Sequence, residues 1–146
     1  MSLFQAINTS ASGLTAQRLR MDVISNNLAN VNTTRTQSGE AYRRQMVVFQ
    51  ERQGQASFGS ILQEAIHQYP GKGVRVMGIV KDNSPLKMVY NPEHPDANAE
   101  GYVRMPNVNT VTEMVDMISA TRAYEANVTA VNSAKNMALK ALEIGR

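Results

Sequence analysis

The sequence predicts an α+β, mainly helical chain. Long N- and C-terminal helices pack as a coiled-coil-like antiparallel pair, and a small middle region contains a β-hairpin. Three observations carry this reading. Apolar residues recur at alternating steps of four and three near both ends of the 146 residues. Between residues 42 and 90 the period drops to two. Turn chemistry, Asn32-Thr33-Thr34 and Pro106-Asn107, separates the two regimes. The organisation is therefore a helix over 1–34, a β-rich middle over 35–107 and a helix over 108–146, with the helices forming one core domain.

The first helix opens on a capping box, Ser2-Leu3-Phe4-Gln5. Its stripe runs Leu3, Ile7, Ser10, Leu14, Gln17, Met21, Ile24, Leu28, Val31, a heptad seam with Ser10 and Gln17 as defects. It is expected to end near Asn30 or Val31. The last helix starts on a second capping box, Thr110-Val111-Thr112-Glu113. Its stripe is Met114, Met117, Thr121, Tyr124, Val128, Val131, Lys135, Ala138, Leu142, with Gly145 as its stop. A neighbouring face, Ala120, Ala123, Ala130, Ala134, Met137, Ala141, is small enough to let another backbone approach. In the middle, Tyr42 to Phe49 reads as a strand. Residues 74–90 read as a hairpin turning at Asp82-Asn83-Ser84-Pro85. Residues 50–60, rich in Gln, Gly and Ser, are expected to be mobile before assembly.

Helix length bears on assembly. About 34 residues of last helix span roughly 51 Å. A compact globule of this size measures roughly 40 Å across. Two such helices with broad apolar faces cannot bury everything in one monomer, which points to an oligomer built from terminal helices.

Composition argues against several function classes. Cysteine is absent, which removes disulfides and thiolate chemistry. The two histidines, His67 and His94, lie on different elements, so no metal site and no cofactor is expected. Pro70-Gly71-Lys72-Gly73 lacks the pattern of a phosphate loop. No Gly-x-Ser-x-Gly elbow occurs, and the chain is not expected to be an enzyme. The net charge of +3 is gathered in residues 35–75, without the dense basic stripe of a nucleic-acid binder. The longest apolar run, Met46-Val47-Val48-Phe49, is too short to span a bilayer, and no cleaved signal peptide is expected. Asparagine is the chain's notable polar residue, at 13 against 4 aspartates. Asn26 and Asn30 share a face at the end of the first helix. With Asn27 they can either close a frayed helix end or bond across helices and set register.

Two further stretches make the pattern specific. Ser25-Asn26-Asn27-Leu28-Ala29-Asn30-Val31-Asn32-Thr33 resembles the N-terminal signature of bacterial flagellar rod and hook proteins. Glu113-Met114-Val115-Asp116-Met117-Ile118, with Ala120, Arg122, Tyr124, Glu125, Ala126 and Asn127, resembles the rod-protein C-terminal signature. Val89 to Ala97 and Gly101-Tyr102-Val103 are similar to the proximal-rod members of that family. Thr33-Thr34-Arg35-Thr36 departs from the Thr-x-Gly turn that many members carry. The resemblance implies a structural subunit of the basal-body rod, the drive shaft between membrane ring and hook. It implies export by the flagellar type III apparatus without signal cleavage. It also implies as partners copies of the chain, other rod proteins, and the membrane-ring and adaptor proteins at the rod base. Terminal helices of such proteins are expected to be poorly ordered alone and to fold on assembly.

On this reading Leu3, Ile7, Leu14, Met21, Ile24 and Leu28 pack against Met114, Met117, Tyr124, Val128, Val131 and Leu142 as an assembly core. The alanine face meets neighbouring subunits. Asn26, Asn27 and Asn30 set register, and Arg43, Arg44 and Arg52 face outward. The competing reading is a soluble helical-hairpin module that binds or scaffolds a partner.

Overall fold

The computed structural model describes residues 3–52 and 72–144. Ser2, His67, Pro70, Gly71, Gly145 and most of the Gln/Gly/Ser-rich stretch lie outside the described residues. In chain order the elements are α1 (Leu3–Ala29), β1 (Gln45–Glu51), β2 (Val74–Lys81), β3 (Lys87–Tyr90), β4 (Tyr102–Met105) and α2 (Thr110–Ile144). The long terminal helices are those the periodicity predicts, and short antiparallel strand pairs fill the middle.

The strand pairing differs from expectation. Residues 74–90 do not fold onto themselves. β2 pairs with β1, and β3 pairs with β4. The backbone bonds Arg52 N to Gly73 O (2.9 Å) and Asp82 N to Arg44 O (2.8 Å) show that β1 and β2 run antiparallel. β3 and β4 are antiparallel from Lys87↔Met105 to Tyr90↔Tyr102. The reason lies in the supposed turn. Asp82 Oδ1 accepts from the Ser84 amide (2.8 Å) and from its hydroxyl. Pro85 then follows with no N–H to give a ladder. The segment ends one ribbon and redirects the chain into another. The same hydroxyl and amide of Ser84 hold the Asp82 carboxyl below the usual carboxylate range.

The first helix ends at Ala29, one turn before Asn32-Thr33-Thr34. Asn30 N donates to Asn26 O (3.1 Å), and the Asn30 side-chain amide donates to Asn26 O and Oδ1, both 2.9 Å. The second helix is not capped by Thr110. Asn109 Oδ1 accepts from Val111 N (3.0 Å) and Thr112 N (3.5 Å). Glu113, expected to reach back to the cap, turns inward instead.

The chain forms two units. One comprises Leu19–Val48 and Gly78–Thr121. Its core is Val23, Ile24, Ala41, Tyr42, Val103, Pro106, Val108 and Ala120, all buried. Within it α1 and α2 run antiparallel, since Arg20 meets Asp116 while Asn27, seven residues on, meets Glu113. The other unit comprises Met1–Arg18, Phe49–Met77 and Arg122–Arg146. Among its described residues the buried apolar ones are the small Ala16 and Ala134. Gly13 lies so close to α2 that a Cβ there would sit 3.0 Å from the Asn127 amide. Val74 N donates to Ser12 Oγ (3.0 Å), which donates to Thr9 O (2.7 Å), and this ties the start of β2 to α1.

Gly73 makes that tie possible. Its φ is +94°, and a Cβ would collide with Ser12 Oγ. Gly73→Ala is expected to cost about 2–3 kcal/mol, combining a left-handed backbone with loss of the Ser12 bond. Urea melting of the full chain checks this, and an unchanged midpoint would refute it.

Candidate functional site

The last turn of α1 carries the most heavily engaged side chain among the described residues. Asn27 is 1% exposed. Its Nδ2 donates to Gln45 O (2.8 Å) and Glu113 Oε2 (3.0 Å). Its Oδ1 accepts from the Tyr42 hydroxyl (2.9 Å) and Gln45 N (2.9 Å). Both donors and both acceptor positions of the amide are filled. One side chain thus joins α1, the entry into β1 and the first turn of α2.

Glu113, fully buried, extends this cluster. Its Oε1 accepts from Arg44 Nε at 2.6 Å. Arg44 Nη2 reaches Asp116 Oδ2 (3.2 Å), and Asp116 Oδ1 accepts from Arg20 Nη2 (3.0 Å). Arg44 N donates to Asn107 Oδ1 (2.8 Å), whose amide donates to Asp82 O (3.1 Å). Two guanidiniums balance two carboxylates, as a low-dielectric site requires. Burial pushes the Tyr42 phenol upward, and the charge of Glu113 adds to the effect. The cluster holds no arrangement of nucleophile and base. Its chemistry is positional, fixing two helices and a strand in one register.

The residues expected at the seam are placed unevenly. Ile24 is buried, while Leu3, Ile7, Leu14, Met21 and Leu28 are half-buried on α1. On α2 Met117, Tyr124, Val128 and Val131 are half-buried, but Met114 is 51% and Leu142 71% exposed. Ala120 and Ala134, expected on the outward face, are buried, and Ala123 is half-buried. Ala130, Met137 and Ala141 are exposed. The inward stripe of α2 is Glu113, Met117, Ala120, Tyr124, Asn127, Val131, Ala134, Ala138. It keeps the four–three alternation but sits beside the most hydrophobic stripe. The physical reason is close approach. Helices that meet on Gly and Ala bring their backbones together and leave larger side chains to flank the contact.

The asparagines divide by role. Asn27 bonds across helices, whereas exposed Asn26 and half-buried Asn30 bond each other and close the helix end. Ala29, Arg122 and Glu125 are exposed. Asn127 is half-buried and donates to Ala123 O (2.8 Å). Arg44 was expected to face outward with Arg43 and Arg52, yet it turns inward because buried Glu113 needs a counter-charge. Sequence reasoning missed Tyr42, Arg44 and Glu113 as one cluster. The available signal was a polar residue, Asn27, lying beside Ile24 and Leu28. Among the described residues no group of three His, Asp or Glu could hold a metal, and no helix is long and apolar enough to cross a membrane.

A helix pair locked by a buried amide, with apolar side chains left on its outside, has the features of a structural subunit. Comparison with known proteins agrees. The flagella basal body rod protein model matches residues 7–36, and the flagellar basal body rod FlgEFG protein C-terminal model matches residues 99–144. The chain belongs to the flagellar basal-body rod protein family. Among its relatives is the flagellar basal-body rod protein FlgC of Borreliella burgdorferi, 54% identical over 99% of this chain and 98% of that one. FlgC of Bacillus subtilis is also 54% identical, over the whole of both chains. FlgC of Escherichia coli O6:H1 is 39% identical, again over both whole chains. This chain is accordingly a structural subunit of the proximal rod and resides in the flagellar basal body.

Proposed function

We propose that the chain polymerises through its terminal helices into the drive shaft that carries torque from the membrane ring to the hook. The supporting observation is an apolar strip on the outside of α2. Val111, Met114, Val115 and Ile118 are 70%, 51%, 60% and 55% exposed, at the i, i+3, i+4, i+7 spacing of one helix face. A lone monomer gains nothing from holding this strip in water. In the other unit Phe4, Met137, Leu142 and Ile144 are likewise exposed. There Gln17 Oε1 is buried without a hydrogen-bond partner. Both features suit a unit completed by neighbours. Those neighbours are copies of the chain and other rod proteins, with membrane-ring and adaptor proteins at the base. Delivery runs through the flagellar type III apparatus without signal cleavage. The role is mechanical and not enzymatic.

The buried apolar residues among the described part of the terminal unit, Ala16 and Ala134, are small, which fits coupled folding and assembly. Ordering each residue costs about 1–2 kcal/mol, and burying alanines returns little of it. Circular dichroism of the dilute chain, with sedimentation across a concentration series, tests the reading. The expected result is a dilute monomer whose helix content rises as it associates. A fully helical monomer or discrete dimer, independent of concentration, would instead identify a stand-alone partner-binding hairpin.

A further inference from the structure

A cleft of about 370 Å³ opens in the unit that carries the buried lock, far from any role in that lock. Arg35, Arg43 and Arg104 line it, together with Glu40, Asp96 and Tyr102. Two tight turns build its walls. In one, Thr36 N and Oγ1 both donate to Glu40 O (2.9 and 2.8 Å), and Gly39, at φ +79°, donates to Thr36 O (2.9 Å). In the other, Asn98 Oδ1 accepts from the amides of Glu100 (3.1 Å) and Tyr102 (2.8 Å). Both walls are set before any ligand arrives.

The polar groups of the cleft are then counted by what they already bond. Asn98 Oδ1 is used by its own turn. Asp96 Oδ2 accepts from Thr34 Oγ1 at 2.7 Å. Among the described residues the ion pairs engage Arg20 and Arg44, and none involves Arg35, Arg43 or Arg104. Arg43 makes one long contact, 3.5 Å to Ser84 O. The donors left over are guanidiniums, whose planar forks match carboxylates two bonds at a time. Tyr102, edge-on to Tyr90 at 5.3 Å between ring centres, gives the cleft one aromatic side. Three arginines against two carboxylates make a weakly positive site. That balance is too small for a polyanion such as nucleic acid or a lipid surface, which needs a denser basic cluster. It suits one or two carboxylates.

We infer that this cleft is a docking site for an acidic peptide segment presented by a neighbouring subunit. Only the source of the peptide rests on the rod-subunit reading; the chemistry of the cleft stands apart from it. The contact would supplement the helix faces with a charge-selective one, which governs which neighbour fits more than how tightly it binds.

The test uses the dilute full chain and a fluorescein-labelled Gly-Glu-Glu-Gly peptide, read by anisotropy across a salt series. Binding is expected, and to weaken as salt rises. Arg43→Glu and Arg35→Glu should each weaken it about tenfold, with unchanged circular dichroism. Lys140→Glu, a charge reversal on α2 outside the cleft, should change it less than about twofold. Absence of peptide binding, or equal loss in all three variants, would overturn the site. So would arginine-dependent capture by anionic phosphatidylglycerol vesicles without capture of the peptide. Because binding is read before assembly, a failed polymer and a failed cleft give separate results.

Discussion

Asn27→Ala is expected to destabilise the chain by about 3–5 kcal/mol, a large share of a domain's usual margin. The estimate follows from what the amide leaves behind. The Tyr42 hydroxyl, the Gln45 N–H and the Gln45 C=O each lose their partner. Each stranded group costs about 1–3 kcal/mol, reduced wherever water can enter. Glu113, with no exposure, keeps Arg44 but loses the neutral donor Asn27. Asn27→Asp should be no better, because it sets a carboxylate against Glu113 in a site that excludes water. Asn26→Ala and Asn30→Ala, whose bonds lie in the exposed helix end, should cost less than about 1 kcal/mol. Urea unfolding of the full chain, followed by circular dichroism, measures all four. An Asn27→Ala loss below about 1 kcal/mol would remove the lock as the organiser of the helix pair.

Ile118→Asp is expected to leave the monomer intact and to stop polymerisation. Ile118 is 55% exposed, so in the free chain the new carboxylate simply points into water. Placed between subunits, it would be an unpaired charge in an apolar contact. A penalty of about 3 kcal/mol at each contact raises the concentration needed for assembly more than a hundredfold. Polymer formation multiplies this, because every subunit carries the change. Ser119→Asp, on the adjoining and already polar position, is the control and should assemble normally. The readouts are pelletable polymer in solution and motility of cells carrying the variant. Normal polymer and normal swimming in Ile118→Asp would exclude this face of α2 from assembly.

The helices and the two sites they carry were legible in the sequence to very different degrees. The helix pair followed from spacing alone, because an apolar stripe repeats locally and needs no knowledge of what it meets. The C-terminal end of α1 followed from its polar loop, and the signature stretches around Asn27 and Glu113 carried the family. The exposed strip was not read from the sequence, which set Met114 in the seam; burial of the neighbouring stripe is what leaves Val111, Met114, Val115 and Ile118 outside. The lock was not visible either. Glu113 occupies the third position of a sequence that looks like a capping box, and only the fold shows Asn109 taking the cap. Arg44 looks like a surface cation until buried Glu113 requires it.

The same division applies to the strands. Alternation marked residues 74–80 and 86–90 as extended, and both are. Which strand each would pair with was a question of distant residues, and a local turn signal answered it wrongly. Local period, composition and caps act over a few residues and can be read along the chain. Seam choice, strand partner and the pairing of buried charges are set by residues distant in the chain, from Tyr90 with Tyr102 to Gly13 with Asn127, where close approach at Gly13 and the burial of Glu113 outweigh hydrophobicity.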